Sequence, residues 1–285
     1  MPKNFLTPLI VSTLIMPLVA TPALAGGNAP QQQADAVVSQ PVDDGHVPIH
    51  ERFFDNFSRV AIGAAVVSSP EFIGSDKDDV DYFPIIQGQY NLTDKDAIYF
   101  RGLRLGYAHA FSKHVQFGVD TTVRGSRNED DDARLNGMGD IDTAFEVGPW
   151  VKARLYGFSL KSDIMFDVSG EHSGYVANIK VGRHLERGKN TSLELYGETS
   201  WGSGDFMDTY FTVLPGQAIA GRPAFNASSG LYQSAVGATL QQSLSEKIYL
   251  RLDTKLSFLH GDAKDTALTY NNNNLHGFLA LGYAF

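Results

Sequence analysis

The sequence predicts an all-β chain, a transmembrane antiparallel up-and-down β-barrel of about twelve strands within a range of about ten to fourteen, and three observations carry that expectation. The N-terminus is laid out for export. Segments roughly ten residues long recur in which every second side chain is apolar. The last such segment alternates up to a terminal aromatic residue.

The export signal reads from left to right. Lys3 precedes an apolar stretch from Phe5 to Ala20, and the small-residue run Ala23-Leu24-Ala25 follows before Gly26. That is a secretory signal peptide over residues 1–25, because Pro8 and Pro17 interrupt a core shorter than the ~20 residues of a spanning helix. Residues 26–57 show little periodicity and read as a flexible periplasmic segment, with Phe53, Phe54 and Phe57 as its strong apolar anchors. The barrel is expected over 58–285. The chain has a formal net charge of −9 and never clusters Lys and Arg, which excludes nucleic-acid binding. It has 0 cysteines, which excludes disulfides, thiolate metal sites and cysteine nucleophiles together. No later segment offers some eighteen apolar residues in a row, so a membrane form must cross with strands.

The clearest alternation runs from Lys113 to Arg124. Val115, Phe117, Val119, Thr121 and Val123 form one face, and Gln116, Asp120, Thr122 and Arg124 the other. From Lys247 to Phe258, Ile248, Leu250, Leu252 and Leu256 oppose Arg251, Asp253 and Lys255. Phe145 and Val147 oppose Glu146, Leu160 and Ile164 oppose Lys161 and Asp163, and Leu193 and Leu195 oppose Glu194 and Glu198. Further strands are expected near 59–68, 80–90, 97–107, 174–184, 206–214 and 231–241. A soluble sandwich alternates too. Strands of about ten residues nevertheless match a membrane core better than the usual soluble strand of about five or six, and Tyr90, Tyr107, Trp150, Tyr175 and Trp201 lie near strand ends, as interfacial girdles do. At the terminus, Leu279, Leu281, Tyr283 and Phe285 alternate with Phe278, Ala280 and Gly282. Tyr283 and Phe285 form the expected signal for the barrel-assembly machinery. Counting loops back from Phe285 puts 260–274 and 215–230 outside and the long segment 125–139 on the periplasmic side, where short turns are the rule.

Candidate sites are few. Glu129-Asp130-Asp131-Asp132, between Arg127 and Arg134, lacks the ligand spacing of a calcium loop and reads as a solvated loop; Asp76, Asp78, Asp79 and Asp81 read the same way. His172-Ser173, placed on a strand, would send its side chains to opposite faces and so forms no proton relay. No catalytic residue, cofactor site or metal site is expected. The inward charges Asp120, Arg124, Asp142, Glu146, Lys161, Asp163, Asp167, Glu194, Glu198, Arg251, Asp253 and Lys255 must pair or meet water, and their acidic excess predicts cation preference if the lumen is open.

Three elements suggest a family. Ser69-Pro70-Glu71-Phe72-Ile73-Gly74-Ser75-Asp76, followed by Tyr82-Phe83-Pro84, resembles the P-E-Y-x-G-S-D element and downstream proline of MipA/OmpV proteins. Gly137-Met138-Gly139-Asp140-Ile141-Asp142 resembles their G-L-G-D-[IV]-D element, and Tyr210-Phe211-Thr212-Val213 before Pro215-Gly216-Gln217-Ala218 is similar to a third. The motif positions are Pro70, Glu71, Gly74, Ser75, Asp76, Gly137, Gly139, Asp140 and Asp142. The resemblance implies an outer-membrane barrel in outer-membrane lipid. For the founding member it implies a scaffold that bridges a lytic transglycosylase and a peptidoglycan synthase; other members look like porins, adhesins or antigens. A scaffold is therefore the first expectation, and a channel or a surface adhesin the alternatives.

Overall fold

The structure is a computed structural model and describes residues 57–186 and 190–285. The expected signal peptide, and the N-terminal segment up to Asn56, lie outside the described residues. Twelve strands follow: β1 Phe57–Pro70, β2 Asp78–Asn91, β3 Asp96–Arg101, β4 Arg104–Ala110, β5 Val115–Arg124, β6 Ala144–Leu155, β7 Phe158–Asp167, β8 Tyr175–Glu186, β9 Thr191–Gly202, β10 Gly230–Ser243, β11 Ile248–Leu259 and β12 Asn273–Ala284. Two short helices lie between them, α1 Gly204–Phe211 and α2 Gly261–Asp265.

Every strand pairs antiparallel with its chain neighbour, and β12 closes on β1, with Ala61 opposite Ala284 and Ser68 opposite Gly277. Closure follows from the solvent. Lipid offers no hydrogen bonds, so a spanning sheet must pair its own first and last edges. The two-residue period then sorts side chains. On β11, Arg251, Asp253, Lys255 and Ser257 are buried in the lumen while Leu252 and Leu256 are exposed on the outer face. Val119, Phe145, Leu160, Val181, Leu195, Val236 and Leu279 extend that apolar outer belt around the barrel.

The strand map differs from expectation in two places. Residues 97–107 are a hairpin, β3 and β4, because Gly102 and Leu103 turn the chain before Arg104. Residues 206–214 are mostly helical. Phe206, Met207, Tyr210 and Phe211 repeat at three- and four-residue spacing on one buried stripe, and the Ser203 hydroxyl caps the helix by accepting from the Phe206 N–H. One strand is gained and one lost, so the number stays at twelve while the intervening loops change sides.

The segment 125–143 therefore lies at the same end as the other long loops, 71–77, 168–174, 203–229 and 260–272, and not with the short turns beside Phe57 and Ala284. That arrangement restores the usual asymmetry of outer-membrane barrels, with long loops outside and short turns in the periplasm.

A charge on the outer belt tests the sorting. Val236→Arg near the middle of β10 is expected to lower stability by about 2–4 kcal/mol in vesicles, read from urea unfolding, whereas Val236→Leu leaves it within about 0.5 kcal/mol.

Candidate functional site

The long loops fold into the lumen mouth and close it. Phe206, at 0% exposure, packs with Met207, Tyr210 and Phe211 of α1 against Val176, Tyr232, Ile141, Ala227 and Ala263. A second apolar cluster joins four loops through Phe72, Leu135, Val213 and Leu268. Hydrogen bonds tie the loops together: Arg127 Nη1 donates to the Tyr210 carbonyl at 3.1 Å, Thr266 Oγ1 to the Phe211 carbonyl at 2.8 Å, and Gln217 Nε2 to the Met138 carbonyl at 3.1 Å. The Asn-rich loop belongs to this cap, since the Tyr270 N–H donates to the Gly74 carbonyl at 2.7 Å and Asn274 Nδ2 to the Ser75 carbonyl at 2.8 Å.

Most of the motif residues serve the cap. Gly137 and Gly139 have φ of +77° and +79°, the left-handed region that glycine enters without steric cost. In that conformation both amides point at the Glu129 carboxylate, at 3.0 and 3.1 Å, while Asp140 accepts from the Glu129 N–H at 2.8 Å. The acidic run is thus largely satisfied within the loop, with Asp131 accepting from the Asn128 N–H and Asp132 paired to Lys77 at 2.7 Å. Ser75 is buried and its hydroxyl accepts from the Lys77 N–H; Glu71 N–H donates to the Lys77 carbonyl; Pro70 ends β1 opposite Asp78. Asp76 and Asp142 are exposed, and Asp142 lies in the loop before β6 instead of in the lumen. Tyr283 and Phe285, both on the outside, stack edge to face with centroids 5.3 Å apart.

Outside the strands, burial beneath the cap lowers Arg127 to about 10 and raises Tyr210 to about 12. The Arg134 backbone N–H, then Lys77, hold Asp132 below the usual carboxylate range.

Beneath α1 sits a buried polar group. Arg124 donates to Glu146 through Nε at 2.7 Å and Nη2 at 3.3 Å, and its guanidinium lies 5.0 Å over the Phe206 ring. His172 Nε2 lies 3.1 Å from Glu146 Oε1, and Nδ1 accepts from the Gly174 N–H at 3.2 Å, which places the ring proton on Nε2. His172 and Ser173 are in a loop and not on a strand. His172 is 2% exposed and sealed under the cap while Ser173 faces solvent, so no relay joins them.

Lower in the lumen the charges reverse the expected balance. Among the described residues, Arg101, Arg104, Lys152, Arg154, Lys161, Lys180, Arg251 and Lys255 outnumber Asp120, Asp163, Glu194, Glu198 and Asp253 at inward positions below the cap. Asp79, Asp81 and Asp167 lie at the loop ends of their strands. Lys152, Lys161 and Lys180 stand directly opposite one another on β6, β7 and β8, a like-charge row that costs stability without counter-charge. Part of that counter-charge is present. Lys161 lies 3.9 Å from Asp120 and 3.7 Å from Asp163, Arg104 lies 3.1 Å from Asp120, and Lys255 lies 3.3 Å from Glu198. Tyr99 donates to Asp120, Tyr196 to Asp253 at 3.1 Å, and Ser159 to Glu194 at 3.0 Å. Among the described residues the inward charges below the cap thus lack the acidic excess from which the cation preference was expected. Lys152, Arg154 and Lys180 escape the sequence pattern because the β6 alternation is clearest around Glu146 and Gly182 interrupts the inward face of β8. Among the described residues no group of three or more His, Asp or Glu is arranged to hold a metal ion.

Two outcomes test this site. Glu146→Gln leaves Arg124 buried without its counter-charge and is expected to cost about 3–5 kcal/mol, whereas Arg124→Met with Glu146→Leu returns most of it; loss of heat-modifiable migration on gels reads both. Lowered carboxylate pKa values stabilise above the unfolded pKa and lose that contribution as pH falls through the folded one. Protease sensitivity of the cap loops is therefore expected to rise only as the pH falls below the ordinary aspartate range of about 3.9, and Asp132→Asn removes that acid-dependent rise.

The architecture and the site can be set beside known proteins. Among solved structures the chain is similar to Pseudomonas putida OprB at 7% identity and a TM-score of 0.42, covering 83% of this chain and 96% of that one. Against Salmonella typhi OmpF the identity is 10% and the TM-score 0.39, with 80% and 97% covered. Against the NanC porin the values are 9% and 0.38, with 79% and 99% covered. No curated protein matches the sequence. The family model of MipA, the MltA-interacting protein, matches residues 62–285. With that match over nearly all of the described barrel, the chain belongs to the MipA family and is an outer-membrane β-barrel.

Proposed function

We propose that this protein is a scaffold and not an enzyme: a capped barrel that holds murein-cleaving and murein-synthesising enzymes near the outer membrane. The observation that carries this reading is the closed mouth. A folded cap with fully buried Phe206, Phe211 and Leu135 suits an anchor better than a diffusion pore, and the family's name describes interaction with MltA. The segment 125–143 lies at the capped end, so it gives no support to a periplasmic contact. The contact falls instead to the end where β1 begins at Phe57 and where the short turns lie. The barrel-assembly machinery would reach the same end through Tyr283 and Phe285.

The second reading is a channel, favoured by the charged lumen. The basic excess below the cap makes such a channel anion-preferring. An adhesin role for the loops finds less support, because Leu268, Tyr270 and Asn274 are built into the cap. A pull-down of the intact protein from detergent extracts is expected to recover a lytic transglycosylase or a murein synthase, and liposomes carrying it are expected not to swell in sugar solutions. Swelling without enzyme recovery would replace the scaffold by the channel.

A further inference from the structure

One arginine interrupts the apolar outer belt. On β8 the outward positions run Ile179, Val181, Arg183 and Leu185, all exposed. Among the residues whose side chains are described, no other Lys or Arg occupies an outward strand position; Lys152, Lys161, Lys180, Arg251 and Lys255 all turn inward. The neighbours of Arg183 offer no counter-charge. Its cross-strand partners are Phe158 on β7 and Leu195 on β9, and these, with Val181 and Leu185 on its own strand, are exposed apolar side chains. Among the described residues its contacts are one carbonyl and one ring, and no carboxylate. A guanidinium stays ionised, and a charge at a lipid surface must meet water or an opposite charge.

The group is nevertheless fixed in place. β7 begins directly after the turn Tyr156-Gly157, in which both residues have positive φ, +51° and +78°. That tight form matches the twist of the strands it joins, and glycine enters it freely while tyrosine meets a steric penalty. Arg183 Nη1 donates to the Tyr156 carbonyl at 2.7 Å and so braces the turn. Its Cζ lies 4.4 Å from the centroid of the Phe158 ring, and a Cβ added at Gly157 would sit 3.5 Å from that same carbon. Carbonyl, ring and turn therefore hold the guanidinium from three sides. The Nε–Nη2 edge is left over, the fork that takes two oxygens of one anion.

Its depth says which anion. Arg183 stands opposite the first residue of β7, at the short-turn end, between the exposed rings of Phe158 and Tyr156, the latter 87% exposed. Aromatic residues in such positions mark the level of the lipid head groups, where the bilayer presents phosphate. We propose that Arg183, braced by the Tyr156 carbonyl and the Phe158 ring, binds the phosphate of an anionic phospholipid in the periplasmic leaflet, with the lipid chains on Val181 and Leu195. Charge decides between head groups. A zwitterionic lipid brings a second cation to a place with no carboxylate to receive it, whereas an anionic one such as phosphatidylglycerol neutralises the arginine outright.

The test is native mass spectrometry of the full-length protein in detergent, titrated with dioleoyl phosphatidylglycerol or dioleoyl phosphatidylcholine. One phosphatidylglycerol is expected to be held about tenfold more tightly than phosphatidylcholine, and Arg183→Gln is expected to remove that difference. Lys247→Gln, at the same rim and over the Tyr283 ring at 5.6 Å, is expected to leave it unchanged. Equal binding of the two lipids by the unaltered protein would overturn the proposal. So would an equal loss in Lys247→Gln, which means diffuse attraction to the rim, or displacement by excess inorganic phosphate, which means a site for the free ion. Urea unfolding in vesicles separates lipid binding from a bare turn brace. The midpoint is expected to rise when phosphatidylglycerol replaces part of the phosphatidylcholine, and Arg183→Gln, its folding confirmed by heat-modifiable migration, is expected to show no rise. A midpoint lowered equally in both lipids would reduce Arg183 to a clip for its turn and sink the idea.

Discussion

Everything in this molecule depends on the pairing of β1 with β12. A sheet in hydrocarbon has no water to satisfy its outer edges, and each unpaired amide or carbonyl costs several kcal/mol. Once Ala61 meets Ala284 and the ring is complete, alternate side chains have only two environments, lipid and an enclosed interior. The apolar set, such as Leu195, Val236 and Leu252, goes out, and Glu146, Asp253 and Lys255 go in. Inside, those charges are kept by one another. Arg124 with Glu146, Arg104 with Asp120, and Lys255 with Glu198 are each closer than 3.5 Å, as groups removed from water must be.

The barrel was legible because its selection rule is local. Period two on Lys113–Arg124 or Lys247–Phe258 needs no knowledge of the partner strand. The cap was not legible for the same reason. Phe206, Met207, Tyr210 and Phe211 are followed by Thr212 and Val213, so a window of nine residues contains enough β-branched and aromatic side chains to read as another strand. What decides for the helix is the Ser203 cap and the apolar pocket made by Val176 and Tyr232, and the pocket comes from strands distant in sequence. Gly102 hid the opposite error, a turn inside an apparently continuous alternation.

The charge balance of the lumen failed at a different level. Clear alternation favours strands whose outward set is strongly apolar, and those strands supply Glu194, Asp163 and Asp253. On β6 and β8, Ala153 and Ala177 weaken the outward signal, so Lys152, Arg154 and Lys180 went unread. Register then matters more than composition. Only pairing shows that Lys152, Lys161 and Lys180 fall in one row, and only the loop boundary at Ala144 shows that Asp142 never enters the barrel.

The family elements gain a physical meaning from where they fall. Gly137, Gly139 and Asp140 shape the loop that presents Leu135 to the cap; Gly74 and Ser75 hold Tyr270 and Asn274; Tyr210 and Phe211 are the cap's own core. All of them act at the mouth. None lines the lower lumen. If diffusion through the barrel were the shared task, the recurring residues would be expected around the narrow part of the lumen, where side chains set size and charge selection. Instead, in this chain, they build the closed end: Leu135, Tyr210 and Phe211 fill the cap, and Gly74 and Ser75 tie the Asn-rich loop to it.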